Sequence, residues 1–238
     1  MKILIIIPTL NEEKNISKIA LSILSLNKLF LSILFVDDNS SDRSQEEIIK
    51  LKNKYKNIFY IFRKKKGIGS AHKDGIKWAF KKEYQFCVTI DADGTHNPSM
   101  INKMLNVILR KKKNYDIINT NRFLRKNSLS DWPIIRRYIT IIRYTLVKIF
   151  LKTKLDSSGG FRLYNLKTIS FKHFFYSRDK NYFYLIESMF YFEKLGYKIL
   201  ELPIKLKFRN FGNSKMRIFH ILDSLINLVK LSYKNYMK

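Results

Sequence analysis

The sequence is poor in cysteine and in acidic residues. Its 238 residues include one cysteine, Cys87. A lone thiol cannot close an intrachain disulfide, so a disulfide-stapled fold is excluded and the fold does not require an oxidising compartment. Because its neighbours Phe86 and Val88 are apolar, we expect this thiol to be buried and structural.

Long hydrophobic runs are also missing. No segment reaches the roughly 18 consecutive apolar residues that a membrane-spanning helix needs. The best candidate, 138–151, is interrupted by Arg143 and Lys148. The apolar run 3–7 is too short for a secretory signal, and the polar segment 11–13 soon follows it. We therefore expect a soluble or peripheral protein.

Basic residues far outnumber acidic ones. The chain has 46 Lys and Arg against 19 Asp and Glu, a formal net charge of +27. Part of this excess is Lys spread over solvated surface, but the charge also predicts an anionic partner: nucleic acid, an anionic membrane or phosphorylated substrates. Tyr60 and Phe62 could stack on bases, yet no helix-turn-helix, zinc-finger or ribonucleoprotein motif is present. A hydrophobic content of 46% excludes global disorder.

The first half alternates between short buried-strand patterns and helical periodicity. The predicted strands are residues 3–7, 32–36, 58–62, 86–90 and 115–119. The predicted helices between them are 13–26, 43–55, one that carries Ile76, Ala79 and Phe80, and one that Asn97 and Pro98 open as N-cap and first residue. This alternation predicts an α/β fold with a mainly parallel sheet flanked by helices, whose ligands bind at the carboxyl ends of the strands.

The second half is less regular, with predicted helices at 133–152, 182–195 and 217–236 and a strand at 197–202. The first and last of these helices combine apolar faces with Arg and Lys, as helices that lie on a membrane surface do. For 217–236 the alternative, that its apolar face packs on the protein core, stays open. No repeat, linker or domain boundary is visible, which predicts a single domain.

Carboxylates follow three of the predicted strands at one edge of the sheet. Asp91 and Asp93 come directly after the fourth strand, Asp37 and Asp38 end the second, and Glu12 follows the first. Mg²⁺ and Mn²⁺ commonly join one or two such carboxylates to substrate phosphates. The alternative is that each pair forms an ordinary acidic turn or caps the next helix.

These segments, taken in order, resemble family 2 glycosyltransferases of the GT-A (Rossmann-like) fold. The segments that carry the resemblance are 7–12 (IPTLNE), 36–40 (VDDNS), 67–71 (GIGSA) and 91–93 (DAD). The second half is similar to dolichyl- and polyprenyl-phosphate mannose synthases, through Trp132 with Arg136, 156–164 (DSSGGFRLY), 201–204 (ELPI), and Arg209 with 212–215 (GNSK).

The resemblance implies a role for each matching residue. The implied donor-binding residues are Pro8, Leu10, Glu12, Val36, Asp38, Asp91, Ala92, Asp93, Arg122, Arg209 and Lys215. The implied ligands of Mg²⁺ or Mn²⁺ are Asp91 and Asp93, and the implied contacts to the acceptor phosphate are Arg122, Arg136 and Thr140. Asp93, Arg122 and Arg136 are the implied catalytic residues. We expect His96 to be solvated or to support this site rather than to bind the metal.

Several positions depart from the family pattern. Leu10 stands where the family tends to have Tyr, and Leu185 where it usually has a Gln that helps to hold the metal. Residues 119–123 (NTNRF) also differ from the usual pattern. These departures leave the donor open, and Leu185 keeps open the alternative of a catalytically silent scaffold.

The resemblance implies an inverting glycosyltransferase that moves mannose from GDP-mannose to dolichyl or polyprenyl phosphate. Residues 1–125 would bind the nucleotide-sugar, and 126–238 the acceptor and the membrane surface. The expected location is peripheral, on the cytosolic face of a membrane, and nucleic acid is not an expected partner. Another donor such as UDP-glucose, and a small membrane-anchoring subunit, stay open.

Overall fold

The structure, a computed structural model, describes residues 1–26, 30–64, 66–110, 114–209 and 218–236. The strands are β1 (Ile3–Thr9), β2 (Leu31–Asp37), β3 (Ile58–Phe62), β4 (Phe86–Thr89), β5 (Ile117–Asn121), β6 (Arg162–Asn165) and β7 (Ile199–Pro203). The helices are α1 (Glu13–Leu24), α2 (Ser44–Lys54), α3 (Ile68–Lys81), α4 (Met100–Ile108), α5 (Ile134–Leu151), α6 (Phe183–Lys194) and α7 (Ile218–Tyr236), with a 3₁₀ helix at Phe171–Phe175.

The seven strands form one sheet in the order β3-β2-β1-β4-β6-β5-β7. β6 runs antiparallel to its neighbours β4 and β5, and the other pairs are parallel. Six strands therefore point the same way and end at a single edge of the sheet. The predicted α/β class with a mainly parallel sheet is confirmed, and its carboxyl edge collects the segments that follow β1, β2, β4, β5 and β7.

Both faces of the sheet are covered, which explains the unbroken apolar runs of its central strands. Ile3, Ile5 and Ile7 pack with residues of α1, α2 and α4 on one face. Leu4 and Ile6 pack with residues of α3 and α6 on the other. Because successive side chains of a strand point to opposite faces, a strand buried on both sides needs apolar residues at every position.

Several predicted details differ from the structure. The strand predicted at 115–119 lies at Ile117–Asn121, and the one predicted at 197–202 lies at Ile199–Pro203. The helix expected to start at Asn97 begins at Met100, because the Asn97 side chain instead accepts a hydrogen bond from the Ser99 backbone N–H at 3.0 Å and forms a turn. β6 was not predicted, since it has only four residues and begins with Arg162. The predicted burial of Cys87 is confirmed.

Helices α5 and α7 pack together with α6 in a third apolar cluster, in which Val147, Leu151, Leu228 and Leu231 are buried. Each helix also presents an exposed apolar face. We define the α5 outer face as Ile134, Ile135, Tyr138, Ile139, Ile141, Ile142 and Ile149. We define the α7 outer face as Phe219, Leu222, Leu225, Ile226, Val229, Tyr233 and Tyr236.

Within the described ranges, none of the helices combines the length and the hydrophobicity that crossing a bilayer requires.

Candidate active site

Asp93 lies at the carboxyl edge, in the loop that follows β4, and both of its carboxylate oxygens are occupied. Oδ1 accepts hydrogen bonds from the backbone N–H of Thr95 at 3.0 Å and from its hydroxyl at 2.8 Å. Oδ2 accepts two from Arg209, from Nη2 at 2.5 Å and from Nε at 3.2 Å. Arg209 follows β7, so two distant parts of the chain meet at this carboxylate.

The electrostatic environments of Asp91 and Asp93 differ. Burial by itself would raise the pKa of Asp93, but the Arg209 charge, His96 and the hydrogen bonds from Thr95 hold this pKa below its usual value. Burial raises the pKa of Asp91, and the nearby Asp93 charge raises it further against the opposing effect of His96. A cation at this point would favour the ionised form of both carboxylates.

His96 completes a group of three candidate metal ligands. One ligand atom from each of Asp91, Asp93 and His96 lies within 4.8 Å of the others. The Nδ1 atom of His96 is 3.6 Å from Oδ2 of Asp91, and His96 is buried. The expectation of a solvated His96 was therefore wrong, whereas a supporting role remains compatible with this position. The two carboxylates suit a hard divalent cation such as Mn²⁺ or Mg²⁺.

Gly160 lets the loop between α5 and β6 approach Asp91 closely. A Cβ atom added at Gly160 would lie 3.1 Å from Oδ1 of Asp91. The Gly160 carbonyl accepts a hydrogen bond from the Thr89 hydroxyl at 2.5 Å, which fixes the loop to β4. Gly160, the second glycine of the 156–164 segment, thus lies directly beside the candidate metal ligand Asp91.

Arg122 follows the end of β5 and is held by Asp156. Oδ2 of Asp156 accepts from the backbone N–H of Arg122 at 3.0 Å and from its Nε at 2.8 Å, and Oδ1 accepts from Nη2 at 2.5 Å. The backbone N–H of Asp156 in turn donates to Glu201 on β7 at 2.9 Å. The guanidinium of Arg122 is therefore oriented by a buried carboxylate, while the Asp91 charge also acts on it.

Helix α5 brings Arg136 and Thr140 toward the same region. The guanidinium of Arg136 lies 4.0 Å from the centre of the Trp132 ring. Burial lowers the pKa of Arg136, and the charges of Arg209 and Arg122 lower it further while Asp93 opposes them. Thr140 is buried and its hydroxyl donates to the Arg136 carbonyl at 2.8 Å.

The rim formed by β1 and β2 carries the other predicted donor-binding residues. Asp38 accepts from the Gly67 backbone N–H at 2.7 Å and pairs with Arg63 at 3.1 Å. Burial raises the pKa of Asp38 against the effect of Arg63. Glu12 is buried, accepts from Asn15 at 2.6 Å, and its charge acts on Arg209.

The remaining predicted donor residues are placed less directly. Pro8 and Leu10 are partly exposed at the end of β1. The side chain of Val36 is fully buried in the layer under α3, so in this structure only its backbone can face a ligand. Ala92 is buried between Asp91 and Asp93. Lys215, with the rest of 212–215, lies outside the described residues.

A family model described as glycosyl transferase family 2 matches residues 4–180. The chain belongs to this family. The glycosyltransferase activity expected from the sequence motifs is thereby confirmed. Its individual site residues keep their roles as predictions.

Curated relatives match the chain over nearly its whole length. It is 26% identical over 237 residues to the undecaprenyl-phosphate mannosyltransferase of Micrococcus luteus, with 97% of this chain and 93% of that protein covered. It is 28% identical over 234 residues to an uncharacterized protein of Methanocaldococcus jannaschii, with 94% of this chain and 91% of that protein covered.

Solved structures share the fold at lower identity. Glucosyl-3-phosphoglycerate synthase from Mycobacterium tuberculosis, crystallised with Mg²⁺ and uridine diphosphate, superposes with a TM-score of 0.64 at 17% identity and covers 98% of this chain and 78% of that one. A further mycobacterial crystal structure gives a TM-score of 0.67 at 14% identity, covering 96% and 75%. The glycosyltransferase therefore has the GT-A fold.

Sequence reasoning assigned no role to two acidic residues that organise this site. Asp156 and Glu201 were noted only as parts of motifs, yet they orient Arg122 and the loop that contains Gly160. Arg122 and Asp156 are 34 residues apart, and Asp156 and Glu201 are 45 apart. No local periodicity reports contacts of that separation. An acidic residue three positions before the Gly159–Gly160 pair was the available signal for Asp156.

Proposed function

We propose that this glycosyltransferase moves mannose from GDP-mannose onto the phosphate of a polyprenyl lipid at the cytosolic face of a membrane. One observation carries the proposal: carboxylates and guanidinium groups from four separate segments converge at one edge of the sheet. Asp93 contacts Arg209 directly, and the charges of Arg122 and Arg209 both act on Arg136. The name of the Micrococcus luteus relative supports a lipid phosphate as the acceptor.

The donor half of the proposal concerns the diphosphate of the nucleotide-sugar. Asp91 and Asp93, with His96 beside them, would hold Mg²⁺ or Mn²⁺. When bound, such an ion stabilises the negative charge that builds on a diphosphate leaving group. Arg209, whose guanidinium lies 2.5 Å from Asp93, would bind the same diphosphate.

The acceptor half follows from the chemistry of a phosphate nucleophile. A phosphate monoester is ionised near neutral pH, so its attack needs little help from a general base. A phosphate oxygen forms the new bond to the anomeric carbon as the bond to the nucleoside diphosphate breaks, which inverts that centre. Repulsion between two unit charges at 4 Å is about 4 kcal/mol at an effective dielectric of 20. Arg122 and Arg136 offset this repulsion.

The α5 and α7 outer faces would bind the surface of the membrane that contains the lipid acceptor. Both helices interleave exposed apolar side chains with basic ones, as interfacial helices do. Each basic residue near an anionic leaflet contributes roughly 1 kcal/mol to binding. The basic residues on these two helices include Arg137, Lys148, Lys230 and Lys234. Because Arg136 and Thr140 lie on the inner side of α5, docking of its outer face would bring the membrane close to the acceptor site.

The test is a transfer assay with a panel of nucleotide-sugars, polyprenyl phosphate in vesicles, and Mg²⁺ or Mn²⁺. We expect lipid-linked mannose from GDP-mannose. Transfer of glucose from UDP-glucose instead would support the proposed reaction class but show that the donor is not GDP-mannose. This outcome is relevant because Leu10 departs from the family pattern. No transfer from any donor would favour a silent scaffold.

A substitution at Arg136 distinguishes binding of the acceptor from binding of the donor. Arg136→Ala should raise the KM for polyprenyl phosphate by about tenfold or more and leave the KM for the nucleotide-sugar nearly unchanged, because a lost charged hydrogen bond costs about 1.5–3 kcal/mol. Equal losses for both substrates would contradict the assignment of Arg136 to the acceptor.

A further inference from the structure

Arg143 is a partly buried cation that makes no ion pair with any described residue. Its Nε atom is buried and has no hydrogen-bond acceptor. Neither an ion pair nor a hydrogen bond joins its side chain to any other described residue. A buried N–H group without an acceptor lowers stability unless a ligand supplies that acceptor. An apolar residue would fill this position at lower cost, which points to a use for the charge.

The register of α5 places Arg143 on the side of the helix that faces the site. Arg136, Thr140, Arg143 and Val147 recur at intervals of three and four residues, so they share one face. Thr140 and Val147 are buried. The opposite side of the helix carries the α5 outer face. Arg143 therefore belongs to the inner row that begins with Arg136.

A ring contact fixes α5 against the end of β5. Tyr144 stacks on Phe123 with ring centroids 3.8 Å apart and planes 16° apart. Phe123 directly follows Arg122, so the neighbour of Tyr144 on the helix lies close to the Arg122–Asp156 pair. The charges of these two residues both act on Arg143.

Asp156 acts on Arg143 through its charge but makes no direct ion pair with it. Its two oxygens already accept three hydrogen bonds from Arg122. Burial and the Arg122 charge lower the pKa of Arg143 to about 10, so the guanidinium stays protonated at neutral pH. Among the described residues, no carboxylate therefore pairs directly with the Arg143 guanidinium.

We propose that Arg143 is a further binding residue for the acceptor phosphate, donating hydrogen bonds from its guanidinium to a phosphate oxygen alongside Arg136. This inference rests on the proposed function, because it takes the phosphate monoester of that reaction as the anion. A guanidinium presents several N–H groups in a rigid plane that matches phosphate oxygens, which an ammonium group does not. Arg143→Lys should therefore bind the phosphate more weakly than the wild type but more tightly than a variant with a neutral side chain at this position.

The experiment measures binding of a short-chain isoprenyl monophosphate and of inorganic phosphate by calorimetry, without donor. Arg143→Gln should weaken binding of the isoprenyl monophosphate by about 10- to 100-fold, the equivalent of one charged hydrogen bond or two. Arg110→Gln is the matched control, since Arg110 is exposed beyond the end of α4. It should bind the probe as the wild type does. Arg143→Met, which keeps the length of the apolar stem, replaces Arg143→Gln if that variant does not fold.

Two further readouts separate binding from a structural role. The melting temperature of Arg143→Met should equal or exceed that of the wild type, because an uncompensated charge is removed. The KM for the nucleotide-sugar should stay within about twofold of the wild-type value. Probe affinity of both Arg143 variants within about twofold of wild type would overturn the inference.

The outcomes also distinguish this inference from the proposed function. If Arg136→Ala loses the probe but Arg143→Gln keeps it, the acceptor site stands and the inference on Arg143 fails. If phosphate binding depends on Arg143 but no sugar reaches a polyprenyl phosphate, the inference stands and the proposed function fails. If the wild type binds neither probe, both fail.

Discussion

Arg209 donates two hydrogen bonds to one oxygen of Asp93 across 116 residues of sequence. The pair joins the segment after β7 to the loop after β4. In this structure the guanidinium supplies the positive charge that the Asp93 carboxylate needs. A divalent cation bound at Asp91 and Asp93 would supply charge at the same point, so metal binding and the Arg209 contact should be energetically linked.

Arg209→Gln should lower the free energy of unfolding by about 1–3 kcal/mol, because Asp93 keeps its charge but loses a mostly buried partner. Mn²⁺ should then raise the melting temperature of this variant more than that of the wild type, since the ion replaces the lost charge. Calorimetric melting with and without Mn²⁺ checks both effects. Lys205→Gln is the control: it breaks an exposed pair with Asp131 and should cost no more than about 1 kcal/mol. Equal Mn²⁺ shifts in wild type and Arg209→Gln would contradict the linkage.

His72 should make the protein less stable as the solution is acidified. It is buried on α3, its ring lies 5.8 Å from that of Tyr184, and burial together with the Arg162 charge lowers its pKa to about 3. The unfolded chain binds this proton near pH 6.5, so the stabilising contribution is complete above about pH 6.5 and is lost as pH falls toward 3. From about pH 7.5 to 5.5 the loss is about 1 kcal/mol.

Denaturant unfolding of wild type and His72→Gln at both pH values measures this contribution. The variant should lose less stability on acidification, by about 1 kcal/mol. Identical pH dependence in the two proteins would show that His72 is protonated equally in the folded and unfolded states.

The α5 outer face should bind anionic membranes. Ile135 is 76% exposed and Ile142 57% exposed, so the double variant Ile135→Asp, Ile142→Asp removes apolar contact without disturbing the core. We expect its flotation with phosphatidylglycerol vesicles to fall by about tenfold or more. Leu21→Asp on α1, where Leu21 is 48% exposed, should float as the wild type does. Equal losses in both proteins, or no wild-type binding at moderate salt, would contradict membrane docking.

The sequence predicted the sheet well where both faces of a strand are buried. The run Ile3–Ile7 needs apolar residues at every position because α-helices cover both of its sides, and this pattern is visible without any tertiary information. β6 escaped prediction for the opposite reason. Its first residue, Arg162, is a fully buried cation that donates to the carbonyls of Ser157 and Leu185. Only tertiary contacts make a strand of that segment.

The amphipathic pattern of α7 predicted only part of its buried face. The spacing of apolar residues in 217–236 predicts one apolar side, facing the core or a membrane, which carries Ile218, Ile221, Leu222, Leu225, Leu228 and Val229. The structure buries Leu228 together with Leu231 and exposes Leu222, Leu225 and Val229. A helix that is apolar over most of its surface has no unique buried stripe, so only its contacts with α5 and α6 select which residues are covered.

The candidate site was partly accessible from the sequence. Asp91 and Asp93 follow a recognisable strand, so their place at the carboxyl edge could be predicted from spacing. The approach of Arg209 to Asp93 came only from the resemblance to known enzymes, since nothing local links the two. In the sequence Arg143 only interrupts an apolar run, and its inward position depends on the tertiary contact between Tyr144 and Phe123.

The most direct test of the account compares wild type with Asp93→Asn in the transfer of labelled mannose from GDP-mannose to polyprenyl phosphate in the presence of Mn²⁺. Asp93→Asn keeps the shape of the side chain but removes the charge that pairs with Arg209 at 2.5 Å. Glu83→Gln, at an exposed position after α3, is the control. We predict that the organic phase of the wild type and of Glu83→Gln contains labelled lipid, and that Asp93→Asn reduces it by about a hundredfold or more. Undiminished transfer by Asp93→Asn would contradict the account.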